Sequence, residues 1–298
     1  MASREARSRR LSGGHYATLF TPSRSLYLTL LLLMPGSRSH WHFDHTGDPS
    51  TFPPNTALVV GPGFTQGFTP GYPDNPQSPI NTSDYAGREL REITFAPDKV
   101  IGSFSAHDYF GDGSFYLLDT PGHAIGHLCG LARTTSPLSP EGESFIFMGG
   151  DLAHHGGEFR PSPHLPLPSS IVPNPFSLAP KFAHTLRAAA SSCPGHLFSE
   201  LNASRGRKEP GQTFFDVARA AGGSAVAHDA DEAERTIHKV QVWDVRDDIF
   251  VVFAHDETLS TILDLFPRDA THWKEKGWAK QGKWAFLKDF AEAVAGSE

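Results

Sequence analysis

Cysteine is scarce in this chain, with only Cys129 and Cys193 among 298 residues. The two could pair with each other, but they make no disulfide framework, and such usage suits a reducing compartment, here read as the cytoplasm. Neither has the neighbours of a zinc ligand. A membrane span is also lacking, because the longest apolar run, Leu26 to Met34, falls well short of the roughly 20 residues a transmembrane helix needs. A basic excess is missing too: 26 Lys and Arg against 33 Asp and Glu leave a net charge of −7, which offers nucleic acid no general attraction. Internal repeats and low-complexity tracts are absent from the sequence, which excludes solenoids and arrays. What remains is 39% hydrophobic and 20% charged, enough to bury a substantial core, with small molecules as the expected partners.

Charge is unevenly distributed along the chain. Residues 1–38 hold Arg4, Arg7, Arg9, Arg10, Arg24 and Arg38 against the single Glu5, a net of +5, so the rest carries −12. Residues 1–38 are therefore set apart as an atypical N-terminal segment from a domain at 39–298. A targeting segment, a buried strand at Leu26 to Leu33 and an aberrant start each fit this composition.

Beyond it, Thr56 to Gly61 reads as a short buried strand, and Gly61 to Pro79 as an ordered loop rich in Gly, Pro, Phe and Asn. Further strands are expected at Ser114 to Asp119, Leu128 to Ala132, Ser144 to Met148 and Ile249 to Phe253. Gly156 to Pro180 carries seven prolines and reads as a long packed loop. Helical patterns fall at Gln212 to Ala221, Asp229 to His238, Asp256 to Phe266 and Trp273 to Ala295. Strands alternating with helices point to a layered α/β domain.

Sixteen histidines are many for this length, and the run His40-Trp41-His42-Phe43-Asp44-His45 places four potential ligands within six residues. In an extended segment His40 and His42 share a side, while Asp44 and His45 can face a second ion. Imidazole and carboxylate supply the N and O donors that zinc, iron or manganese accept.

This run resembles the HxHxDH motif of the metallo-β-lactamase superfamily, and later pieces follow in that family's order. They are His123 within Thr120-Pro-Gly-His-Ala-Ile-Gly-His127, Asp151 within Met148-Gly-Gly-Asp, and His255 after Ile249-Phe-Val-Val-Phe-Ala. The resemblance covers residue 39 to about residue 290, and the stretches SHWHFDHTGDPSTFP and HHGGEFRPS look like fungal lactonase-type members. It implies a four-layer αββα sandwich with two divalent ions, zinc being favoured. One ion would take His40, His42 and His123, the other Asp44, His45 and His255, and Asp151 would bridge both. Two departures stand out. The family's first sheet normally begins well upstream of the motif, yet 39 residues precede His40, so that sheet is expected to be incomplete. Lactonases of the family that act on acyl-homoserine lactones carry a Tyr three residues after the bridging Asp, where this chain has His154.

Two cations held by a shared carboxylate lower the pKa of a bridging water to hydroxide and polarise a carbonyl. The implied reaction is the opening of a cyclic ester or amide, a lactone or lactam, by that hydroxide, with Asp44 beside it to orient it or move a proton. An acyl-carrier thioesterase of the same fold and an inactive truncated family member are the rival readings.

Several side chains have bland readings beside sharper ones. His127 is placed behind the ligands, in the core or at the surface; His154 or His155 lines the pocket or serves only the loop. His107, His164, His184 and His196 have no motif around them and are expected at the surface. Packing within their own loop is expected of Phe64, Phe68 and Tyr72 before any role as a wall beside the metals, and Trp273, Trp278 and Trp284 are expected in the core or its cover.

Overall fold

A computed structural model describes residues 38–179, 181, 190–219, 227–265 and 267–295. The expectations for residues 1–37, for His184 and for Phe266 lie outside the described residues. The described residues open with Arg38 and Ser39, whose backbone bridges two sheets: Arg38 N–H donates to Val59 O (3.1 Å), and Leu128 N–H donates to Ser39 O (2.8 Å). Arg38, counted by charge with the basic start, is in fact buried against the body, its guanidinium donating to Asp84 at 2.8 Å.

A one-turn helix α1 (Phe43–Thr46) precedes strand β1 (Leu58–Val60), helix α2 (Phe64–Phe68) and strand β2 (Leu90–Glu92). Strands β3 (Val100–Ile101), β4 (Phe104–Asp108), β5 (Phe115–Asp119), β6 (Leu128–Thr135) and β7 (Ser144–Met148) follow. After helix α3 (Gly156–Phe159) come β8 (Ser170–Ile171), β9 (Cys193–Pro194), α4 (His196–Ser204), α5 (Ala230–Asp244), β10 (Ile249–Val252), α6 (Trp278–Gly282) and α7 (Ala291–Ala295). One six-stranded sheet runs in the order β10-β7-β6-β5-β4-β3, antiparallel except for the parallel pair β10 and β7, and α5 leads directly into β10.

Period-two alternation sorts the strand side chains to two faces. Phe115, Leu117, Leu128, Ile146, Met148, Phe250 and Val252 point to one core, where Val59 of β1 and the buried Trp273 and Trp278 meet them. Leu118, Cys129, Leu131, Phe147 and Val251 point to the other, which α5 covers with Ile237, Val240 and Trp243, residues spaced three apart on one helix face. β1 alternates in the same way: Val59 faces the large sheet, while Leu58 and Val60 pack under Phe64 and Phe68 of α2. The layers therefore run α5, six-stranded sheet, β1 with β2, and α2. This is the αββα order expected, with the first sheet reduced to two parallel strands among the described residues.

The strand expectations match, and α5 starts where expected because the Asp229 carboxylate caps it, accepting from Glu232 N–H at 2.9 Å, though it runs on to Asp244. The helix expected at Gln212 to Ala221 is absent over 212–219. Side chains and helix α3 take the backbone groups that a helix would pair: Asn202 donates to Gln212 O, Arg207 to Thr213 O, and Phe215 N–H to Gly157 O. This extended path buries Phe214 among Phe286, Phe290 and Trp284. The Asp256 helix is only a single 3-10 stretch, Glu257–Thr261, capped by Asp256. The C-terminal pattern is divided between α6, a 3-10 stretch and α7.

The loop at 61–79 gains one helical turn, and the described part of the Gly156 to Pro180 stretch, residues 156–179, is packed and mainly irregular. Arg160 anchors it with a bidentate pair to buried Asp244 (2.7 and 2.6 Å) and a bond to Lys283 O. The possible pairing of Cys129 with Cys193 does not occur; both thiols are buried, and no disulfide joins them. Among the described residues, no helix is long and apolar enough to cross a membrane.

Candidate metal centre

Strand register explains why distant residues meet. In the parallel pair Met148 stands opposite Val252, so Asp151 and His255, each three residues further on, leave their strands at one level. Gly149 N–H donating to Val252 O (2.7 Å) and Ala254 N–H donating to Gly150 O (2.8 Å) keep the two exits side by side. β6 is antiparallel to β7, so the loop joining β5 to β6, which carries His123 and His127, opens at this same edge. The edge at the carboxyl ends of parallel strands is where α/β sheets place ligands.

Three neighbours hold the His123 loop. Thr236 of α5 donates to Pro121 O (2.8 Å), and His228 and Asp229 donate through their backbones to His123 O and Gly122 O. From the opposite side β1 approaches so closely that a Cβ on Gly61 would lie 2.1 Å from Gly126 O, a contact only glycine permits.

Two groups of side chains result. In one, His40, His42, His123 and Asp151 offer ligand atoms all within 4.8 Å of one another; in the other, Asp44, His45, Asp151 and His255 do so. All seven residues expected from the sequence are brought together, and Asp151 belongs to both groups. Its Oδ1 lies 2.9 Å from His45 Nε2, and its Oδ2 lies 3.2 Å from His255 Nε2, 3.4 Å from His123 Nε2 and 3.7 Å from His40 Nε2. His40, His45, His123 and Asp151 form a buried floor, while His42, Asp44 and His255 are partly exposed at the mouth.

Burial holds His40 well below the ordinary imidazole range and lowers His42, and it brings His123 down to about 2. Burial alone would raise Asp151, but the imidazoles of His154, His255 and His45 outweigh it and keep the carboxylate ionised. Rings held neutral around an ionised carboxylate are the protonation states a transition metal requires of its ligands. The donor set, imidazole nitrogen with carboxylate oxygen, suits zinc, iron or manganese, so the residues present fit a pair of divalent ions.

Two further histidines have roles that spacing alone left open. His127 is buried, its Nε2 accepting the Asp151 backbone N–H (3.1 Å), so the proton sits on Nδ1, which donates to Thr120 O at 3.0 Å. It positions the main chain of Asp151. His154 stands at the mouth, its Nε2 3.5 Å from Asp151 Oδ2 and its ring stacked on His255 at 4.9 Å. Burial pulls its pKa down, but the hydrogen bond and charge of Asp151 more than offset that and raise it.

His155 turns away to the loop: its Nδ1 accepts Gly157 N–H at 2.8 Å, and Nε2 donates to Asp289 at 3.3 Å. His164 and His196 are exposed, whereas His107 is partly buried on β4. Phe64 and Phe68 pack in a cluster with Leu58 and Val60, Phe68 also meeting the Trp41 ring at 5.2 Å, and Tyr72 is exposed. Ser39, which motif reasoning passed over, touches two of the converging rings, its Oγ lying 3.1 Å from His40 Nδ1 and 3.2 Å from His45 Nδ1.

No protein-family model matches the chain. Among curated proteins it is 47% identical over 255 residues to "Gamma-lactamase FDB1" of Fusarium pseudograminearum, covering 85% of this chain and 57% of that protein. It is 43% identical over 259 residues to "Metallo-hydrolase mfmC" of Annulohypoxylon moriforme, covering 86% of this chain and 61% of the relative. It is 48% identical over 204 residues to "Gamma-lactamase MBL2" of Gibberella moniliformis, covering 68% of this chain and 77% of that protein. The chain thus spans about three fifths of the length of the first two. Among solved structures, an N-acyl homoserine lactone hydrolase with N-hexanoyl-L-homoserine at its metal centre aligns with a TM-score of 0.42 and 14% identity, over 78% of this chain and 60% of that one.

Proposed function

The chain belongs to the metallo-β-lactamase superfamily of hydrolases, and from that premise we propose that it opens a lactam or lactone ring by metal-dependent hydrolysis. The observation that carries the reading is the convergence of seven side chains into two ligand groups sharing Asp151. One divalent ion, zinc in the first instance, would be held by His40, His42 and His123, a second by Asp44, His45 and His255, with Asp151 between them. When bound, such a pair supplies Lewis acidity toward a carbonyl oxygen and a water ionised near neutral pH.

The chain's own residues supply the rest. The buried floor holds Asp151 and three of the rings in fixed orientation, and the geometry therefore exists before substrate enters. Asp44, partly exposed at the mouth, is placed to orient the attacking water or take its proton at a carboxylate oxygen. His154, partly exposed at the mouth with its Nε2 3.5 Å from Asp151 Oδ2, is the candidate to give its Nε2 proton to the departing nitrogen or oxygen. Glu158 fixes the main chain of His154 by accepting its backbone N–H at 2.8 Å.

A ring holds its carbonyl and leaving group in a compact cis arrangement that both ligand groups can address at once. Two relatives are called γ-lactamases, which makes a γ-lactam the first substrate to test. An acidic acyl carrier would meet the −12 charge of residues 39–298, a general repulsion that disfavours the thioesterase reading. The test is turnover of γ-lactams, lactones and acyl thioesters by the zinc-reconstituted protein. Chelator-sensitive ring opening is expected. A protein that holds its ions yet opens no ring would refute the substrate class, and robust hydrolysis of thioesters alone would transfer the site to acyl carriers.

A further inference from the structure

We propose that Ser39 is a shared positioning residue, a single hydroxyl that sets the orientation and tautomer of one ligand in each of the two metal groups. The proposal rests on the metal-site reading above and adds a residue to it.

The hydroxyl is buried, with Ser39 1% exposed, and stands between His40 Nδ1 at 3.1 Å and His45 Nδ1 at 3.2 Å. These rings belong to different groups, His40 with His42 and His123, His45 with Asp44 and His255. Their centroids are 4.4 Å apart, close enough for one oxygen to reach both. A hydroxyl oxygen has two lone pairs, so it can accept an N–H from each Nδ1. Both Nε2 atoms then present lone pairs, and both already face Asp151, His45 Nε2 at 2.9 Å from Oδ1 and His40 Nε2 at 3.7 Å from Oδ2. Fixing the far nitrogen of a ligating imidazole is what sets its tautomer and raises its basicity.

The oxygen is itself held in place by the fold. Arg38 N–H is bonded to β1 and Ser39 O accepts from the first residue of β6, so the serine is clamped between the two sheets. Gly150 lies against it, where an added Cβ would come 3.4 Å from Ser39 Cβ and 3.0 Å from His127 Nε2. Sheet packing is thereby transmitted through one side chain to both ion positions, and disturbing that side chain should weaken both sites together.

The experiment compares wild type with Ser39→Ala, a change that removes the oxygen and adds no bulk. Circular dichroism of both metal-free proteins first establishes that the variant is folded. Zinc affinities are then measured by competition with a chromophoric chelator, and nitrogen-15 histidine spectra are recorded on the zinc-loaded proteins. In wild type, two ions are expected, with slowly exchanging Nδ1 protons on His40 and His45. In Ser39→Ala both affinities should fall on the order of tenfold or more, and both Nδ1 proton signals should be lost to exchange with solvent. Two ions bound by the variant with unchanged affinities, weakening at one site alone, or unchanged Nδ1 signals would each overturn the shared role while leaving the metal site standing. Wild type that takes up no ions would instead overturn the reading on which the proposal rests.

Discussion

Replacing His127 by Leu removes two hydrogen bonds in a place water does not reach. The Asp151 N–H loses its acceptor and Thr120 O loses its ring donor. Each buried group left in this way costs about 1–3 kcal/mol, and Leu fills a similar volume, so the expected loss is about 2–6 kcal/mol out of the roughly 5–15 kcal/mol a domain possesses. With a urea dependence of about 2–3 kcal/mol per molar, the unfolding midpoint of the metal-free protein should fall by roughly 0.7–3 M. His127→Gln, whose amide oxygen can still accept the Asp151 N–H, should recover part of that. Burial holds the wild-type ring down to about 4, so it is neutral when folded, whereas the unfolded ring protonates near 6.5. Falling pH therefore favours the unfolded chain: this contribution is intact above about 6.5 and is lost progressively toward 4, roughly 3 kcal/mol in all. The Gln variant should lack that part of the acid sensitivity. A midpoint shift below about 0.3 M for His127→Leu would show that His127 is not the support described.

Asp151→Ala should abolish ring opening and lower bound metal, because both ligand groups lose their common carboxylate, whereas His154→Ala should keep its metal and lose turnover by about 10²–10⁴-fold as a proton donor does; elemental analysis beside steady-state rates distinguishes them. Gly150 sits at φ 52° against His127 Nε2, so Gly150→Ala should destabilise the fold by at least about 1 kcal/mol, measurable in the same urea titration. The Cys129 thiol is fully buried and its pKa is raised by burial, so iodoacetamide at pH 8 should leave Cys129 unmodified in the native protein and alkylate it in urea, as peptide mass mapping would report.

The strands were legible because their apolar residues alternate or run together between Gly, Pro and Asp signals, as in SFYLLD and IFVVF, and burial on both faces of the sheet demands that pattern. Helix α5 was legible from its Asp229 cap and periodic apolar face. Gln212 to Ala221 misled because Phe214, Phe215 and Val217 have spacing compatible with a helix, while the side chains that take its backbone groups, Asn202 and Arg207, come from elsewhere and leave no local mark. At the site, the seven residues that converge could be picked out because metal chemistry restricts residue type and order. What supports them could not: Ser39 and His127 act through hydrogen bonds set by the register of β6 and β7, and a serine or histidine in those positions looks the same in sequence whether it is buried or exposed. His154 was visible as a neighbour of Asp151, but its stacking on His255 depends on β10 lying parallel to β7.

The central claim is that two ion positions share Asp151, and metal stoichiometry tests it most directly. After reconstitution with zinc and removal of loosely held metal, elemental analysis should find about two ions per wild-type chain and a marked loss in Asp151→Ala. A wild-type value near zero after reconstitution with zinc, manganese or iron, or a stoichiometry that Asp151→Ala leaves unchanged, would contradict the account.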